Sequence, residues 1–196
     1  MDLPRLPVLA LVMLGFVLAT ASARAASWTL EDGSAIRFEA YQQGAPVHGG
    51  FERFSADIVL DPDDLAGSRI EIEIEVASIS TGHRDRDTAL RSPGLFGVER
   101  WPTARFASAK VEHLGGEAYQ ALGQLTIRDV QRDVVLPFTL RIADHPSEPG
   151  LQQADATGEL TISRLDYGVG QGEWASTAAV GESVVITIQI VAAAKR

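Results

Sequence analysis

Cysteine is absent from all 196 residues. No disulfide can form and no thiolate can hold a metal or act as a nucleophile, so a packed core must supply the stability. Basic residues are scarce: 17 Lys and Arg stand against 26 Asp and Glu, a formal net charge of −9. Nucleic acid needs a basic footprint and anionic lipid surfaces a basic patch, so both are disfavoured as partners. Long hydrophobic runs are missing apart from Leu6–Ala19, which at about 14 residues is too short to span a bilayer. The four histidines, His48, His83, His113 and His145, lie far apart, with none of the close spacings that mark a metal site. No G-x-S-x-G elbow occurs.

The one apolar run reads as a targeting segment. Arg5 precedes it, small residues follow, and Ala21-Ser22-Ala23 and Ala23-Arg24-Ala25 offer cleavage sites of the A-x-A kind. Residues 1–25 are therefore expected to be a secretory signal peptide, and 26–196 a single domain destined for the periplasm. Losing Arg5, Arg24 and Asp2 would leave 15 basic and 25 acidic residues, a net charge of −10.

What fills the remainder is hydrophobic alternation with a period of two. In Arg69–Val76 every even position is Ile or Val and charged residues stand between. Val134, Leu136, Phe138, Leu140 and Ile142 repeat the pattern, as do Val184, Ile186, Ile188 and Ile190. Successive side chains of a strand point to opposite faces, so each run has one oily and one wet face. Nine strands are predicted: 27–30, 35–42, 50–60, 69–78, 103–114, 119–127, 134–144, 152–163 and 184–193. Turn-forming clusters such as Gly44-Ala45-Pro46, Asp61-Pro62-Asp63-Asp64 and Gly115-Gly116 separate them. With little helix to cover the oily faces, they must meet in a sandwich or a closed barrel. Two irregular stretches, 84–96 and 164–181, break the rhythm. The first has room for one or two helical turns, and either could close one end of a barrel.

An eight-stranded barrel is just wide enough to fill itself with side chains or to hold one small elongated ligand. The candidate lumen residues are Phe38, Ile72, Ile74, Phe106 and Leu125, with Ile127, Leu136, Phe138, Leu160 and Ile186. Small residues at Ala104, Ala107, Ala109, Ala121, Gly123, Ala156 and Gly158 would leave room. In the cluster His83-Arg84-Asp85-Arg86-Asp87, the two carboxylates make an acid/base pair with His83 as shuttle, or else Arg86 and Asp87 pin a short helix to the rim. Alternating signs favour pairing over reactivity. Gly168-Val169-Gly170-Gln171-Gly172 has Glu173 where a dinucleotide fingerprint needs Gly, so its glycines are expected to serve positive φ in a tight loop.

Three segments then carry a resemblance. They are Ser78-Ile79-Ser80-Thr81-Gly82 with Arg86-Asp87, Trp101-Pro102 and Phe106-Ala107-Ser108; Gly123–Arg128 running on to Val135-Leu136-Pro137-Phe138; and Gly158–Gly170 followed by Val180-Gly181-Glu182. In that order the chain resembles the YceI-like family of bacterial periplasmic proteins. Asp129 departs from the pattern, because a Gly usually follows the L-T-I-R segment. The resemblance implies an all-β, lipocalin-like antiparallel β-barrel of about eight strands, with short helical segments at its ends. It implies a non-enzymatic carrier that sequesters an isoprenoid-like amphiphile, a prenyl lipid or quinone tail, and it implies no cofactor. Arg84, Arg86 and Arg164 are the candidates for a polar head group. The Gly-Gln-Gly-Glu-Trp loop resembles a subgroup associated with membrane cytochrome b561 domains, so an accessory role beside such a protein is the alternative. A free edge strand would permit a homodimer.

Overall fold

A computed structural model describes residues 26–195, and the predicted signal peptide lies outside them. Among the described residues the chain forms eleven strands and one α-helix. The strands are β1 (Ser27–Leu30), β2 (Ala35–Gln42), β3 (Ala45–Phe51), β4 (Phe54–Val59), β5 (Arg69–Glu75), β6 (Ile79–Ser80), β7 (Thr103–Gly115), β8 (Ala118–Ile127), β9 (Val130–Asp144), β10 (Leu151–Ser163) and β11 (Ser183–Lys195). The helix α1 (Arg84–Arg91) falls in the first irregular stretch, where helical turns are predicted.

All pairings are antiparallel. From β4 the order runs β5, β7, β8, β9, β10 and β11, and β1 joins β11 back to β4. This closes an eight-stranded barrel. Its first three staves are broken midway: β1 and β2 share the edge of β11, β4 and β3 continue one another, and β5 continues into β6. The ring closes, but residues 45–49 of β3 keep an edge with no second neighbour among the described residues.

Four predicted boundaries are corrected. Residues 50–60 do not form one strand, because the chain bends at Glu52 and Arg53. The buried hydroxyl of Ser78 holds the bend, accepting from the Arg53 amide at 3.1 Å and donating to the Glu75 carbonyl at 2.6 Å. For the same reason 69–78 stops at Glu75 and passes through a 3₁₀ turn, Val76–Ser78, before β6. The hairpin from β2 to β3 turns on Gln43 and Gly44, at φ 51° and 79°, so Ala45 and Pro46 belong to β3. Two residues at positive φ match the twist of a tight hairpin, and Pro46 is tolerated because its stretch of β3 has no second neighbour. The Arg128-Asp129 turn joins β8 directly to β9, with Arg128 at φ 58°, so β9 begins at Val130 rather than 134.

One end of the barrel is closed by buried side chains. Trp28, Leu60, Ile70, Leu140 and Ala192 are buried there, and the Trp28 indole donates to the Leu60 carbonyl at 2.9 Å. At the opposite end, α1 and the loop between β10 and β11 reach over the opening.

A two-chambered lumen under a loop and helix cover

Alternation aims one side chain in two from every stave into the barrel. Where these meet, they leave two unequal spaces. The larger has a volume of about 530 Å³ and lies beneath α1 and the β10–β11 loop. The smaller, about 70 Å³, lies among Trp28, Leu60, Ile70 and Leu140 at the other end. Both are lined overwhelmingly by apolar atoms. The inward side chains of Phe38, Ile74, Ile162 and Ile186 are only half-buried, because they face empty lumen rather than one another.

Phe38, Ile74, Leu125, Ile127 and Ile186 of the predicted set line the large chamber. Ile72, Leu136 and Phe138 line the small one. Phe106 and Leu160 line neither and lie between the two. Along β10, Gly158 faces the small chamber and Ile162 the large one, with Leu160 between them. Across the sheet, Phe106 pairs with Ile72 of the small chamber and Leu125 of the large one. Two of the small residues are misassigned: Ala107 pairs with Glu71 and Gln124 on the outer face, and Ala109 is exposed at a bulge in β7.

Several wall residues escape the period-of-two pattern because they come from irregular segments. Leu95 and Phe96 follow α1, while Tyr167, Val169 and Trp174 come from the β10–β11 loop. Their sole sequence signal is the presence of aromatic and aliphatic residues in otherwise polar loops. Phe51 packs between Phe38 (ring centroids 5.9 Å, tilted) and Phe96 (6.3 Å, edge-on), joining strand wall to cover.

The cover is hydrogen-bonded together. Asp87, buried, accepts from the Thr81 amide at 2.8 Å and from the Thr81 hydroxyl at 2.6 Å. Arg91 donates to the carbonyls of Ala77 (2.8 Å) and Ile79 (2.6 Å) at the other end of α1. Asp87 thus pins the short helix through Thr81, and Arg86 reaches Gln42 of β2. The Gln171 amide donates to the Gly94 carbonyl at 2.7 Å, and Arg128 donates to the carbonyls of Leu95 and Gly168 while lying 4.1 Å from the Trp101 ring. The glycines of the β10–β11 loop do take positive φ, with Gly168 at 67°, Gly170 at 113° and Gly172 at 59°. A Cβ on Gly170 would lie 1.8 Å from a guanidinium nitrogen of Arg164, so no larger residue fits.

The three candidate head-group arginines divide. Arg164 is buried and donates to the carbonyls of Gly181, Val169 and Val180, each at 2.8 Å. Burial lowers its pKa, with Glu182 opposing that shift. Its donors are committed to folding the loop. Arg84 is exposed and does not line either chamber. Arg86 lines the large chamber and donates to the Gln42 side chain at 3.3 Å, and it makes no ion pair among the described residues. His83, Asp85, Tyr41 and Gln42 stand with it at the mouth. The Tyr41 phenol is held above its ordinary pKa by its 3.0 Å hydrogen bond to Glu39. Deeper, the Tyr167 phenol is pushed up by burial, and its hydroxyl makes no hydrogen bond among the described residues.

A YceI-like domain model matches residues 28–192, nearly the whole described barrel. The chain belongs to the YceI-like family. A UPF0312 protein of Serratia proteamaculans is 31% identical to this YceI-like chain over 83% of it and 85% of the relative. Another, from Photorhabdus laumondii, is 31% identical over 62% of the chain, and the match spans 63% of that relative's length. Among solved structures, Burkholderia cenocepacia BcnA superposes with a TM-score of 0.72 at 30% identity, covering 81% of this chain and 95% of BcnA. A polyisoprenoid-binding domain from Saccharophagus degradans, implicated in plant cell wall breakdown, reaches 0.64 at 14% identity over 87% of this chain and 99% of its own. At that identity the likeness is one of fold. The YceI-like barrel is thus a family property.

Proposed function

We propose that this protein is a periplasmic carrier that sequesters an isoprenoid-like amphiphile, with the tail in the large chamber and the head group at the mouth beside Arg86. The observation that carries this reading is the 530 Å³ apolar chamber, walled by inward side chains left half-exposed to it. Its size falls within the usual range of small-molecule sites. Burial of methylene groups, worth about 0.8 kcal/mol each at most, drives such binding without directional contacts. A hydrocarbon tail suits walls of this kind, and the ligand named for the Saccharophagus domain is of the same class. The unpaired guanidinium of Arg86 supplies what an oxygen-bearing head needs, a charged donor at the water boundary.

The cytochrome alternative rests on the Gly-Gln-Gly-Glu-Trp loop as a family signal and on binding by an outer surface. Trp174 of that loop instead lines the chamber, which favours the ligand reading. Under it, a cytochrome partner enters only as donor or acceptor of a shared quinone.

Protein purified from its own envelope, extracted into organic solvent and analysed by mass spectrometry, is expected to release a prenyl lipid or quinone. Protein that carries none, and that takes up no prenyl alcohol when offered it, would overturn the proposal.

A further inference from the structure

The mouth of the large chamber carries two unengaged charges of opposite sign. We propose that Asp85 and Arg86 together select an uncharged head group bearing a hydroxyl, an alcohol or a hydroquinone, and turn away the diphosphate ester of the same tail. This rests on the isoprenoid reading above and names the head group of its ligand.

Most arginines around the chamber are committed to the fold. Arg164 directs all three of its nitrogens to backbone carbonyls, with Glu182 as the opposing charge beside it. Arg91 and Arg128 donate to carbonyls as well. Arg86 differs. Its Nε reaches the Gln42 side chain at 3.3 Å, and both terminal nitrogens are without a protein partner among the described residues. Asp85 is equally unengaged: it is exposed, lines the same chamber, and makes no hydrogen bond or ion pair among the described residues. Asp87, two positions on, is buried against Thr81 instead. The two carboxylates in the first turn of α1 thus part, one holding the helix and one left at the opening.

The two free groups offer opposite chemistry. A guanidinium only donates hydrogen bonds, and a carboxylate only accepts them. A hydroxyl does both, so it can accept from Arg86 while donating to Asp85, and it brings no charge. An ether or quinone oxygen only accepts, which leaves Asp85 to water. Because Asp85 is exposed, that loss is modest. A diphosphate also only accepts, and it sets several negative charges beside Asp85. Glu39, the acceptor of the Tyr41 phenol, adds to the same side. A single guanidinium does not neutralise such a head, and no other free Arg or Lys lines the chamber among the described residues. Discrimination then comes as much from the repulsive carboxylate as from the attractive donor.

The test compares three ligands that share one tail, farnesol, farnesyl methyl ether and farnesyl diphosphate, by tryptophan emission, since Trp174 stands in the chamber wall. The wild-type protein is expected to bind farnesol about fivefold more tightly than the ether and about tenfold or more above the diphosphate. Asp85→Asn keeps an acceptor and removes the charge. It should leave farnesol within about twofold and tighten the diphosphate about fivefold. Asp85→Ala should bring farnesol down to the level of the ether. Wild-type affinities that are equal for all three, or highest for the diphosphate, overturn the head-group assignment. A farnesol-to-diphosphate ratio unmoved in an Asp85→Asn protein that melts cooperatively does so too. Asp85 has no partner to lose, so both variants should fold; if either does not, the wild-type comparison decides. Failure of the wild-type protein to bind any of the three overturns the isoprenoid reading itself, a result distinct from every outcome for the head group.

Discussion

Arg164 is an unusual use of a buried cation, because it is held by three backbone carbonyls and by no carboxylate ion pair. Replacing it strands those carbonyls inside the cover. Arg164→Met is expected to cost about 3 kcal/mol or more of stability, measured as a shift in the urea midpoint. Tyr167 behaves differently. Its hydroxyl has no partner, so Tyr167→Phe should be close to neutral in stability at pH 7. Burial raises the native phenol above its ordinary value of 10.0, so the folded protein holds that proton more tightly than the unfolded chain. The associated stability is present below pH 10 and lost as pH rises through the native value. Unfolding measured from neutral to strongly alkaline pH should therefore fall less steeply for Tyr167→Phe than for the wild-type protein.

The helix α1 is short, at eight residues, and helices of this length do not hold themselves together in water. Its anchorage comes from the segment before it, through Asp87 on Thr81 and Arg91 on Ala77 and Ile79. Asp87→Asn keeps an oxygen that can accept both Thr81 bonds and should cost about 1 kcal/mol, whereas Asp87→Ala leaves both donors unmet and should cost about 3 kcal/mol. If Asp85 and Asp87 were instead an acid/base pair, an activity would exist that Asp87→Asn abolishes. Arg91→Ala, by contrast, should leave the barrel intact and loosen the cover. Faster amide hydrogen exchange across residues 84–96, with β7 to β10 unchanged, would register that. On the carrier reading, release of a bound tail should accelerate in the same variant, since α1 lines the large chamber.

For the molecule as a whole, the closed ring and the open chamber impose opposite demands. Closure joins all eight staves, while the chamber leaves apolar side chains without neighbours and forfeits their packing energy. A ligand that fills it restores those contacts in the native state alone. The melting temperature should thus rise with added prenyl alcohol, by the equivalent of about 2.7 kcal/mol at a hundred times the dissociation constant. A melting temperature indifferent to ligand would mean that the tail adheres elsewhere.

Alternation in β5, β9 and β11 made the barrel and most of its inward residues legible, because a period of two depends on local backbone geometry alone. Turn chemistry placed most hairpins for the same local reason. What the linear pattern could not carry was anything that depends on partners distant in the chain. Whether Phe106 lines a chamber depends on staves far away in the chain that share its level. Whether Arg86 or Arg164 is free at the mouth depends on how two loops fold against one another. The bends at Ser78 were hidden too, since a hydroxyl that replaces strand pairing leaves no periodic trace. Local stereochemistry thus dictates a greasy-lined barrel, and packing across its interior dictates the chambers and their cover.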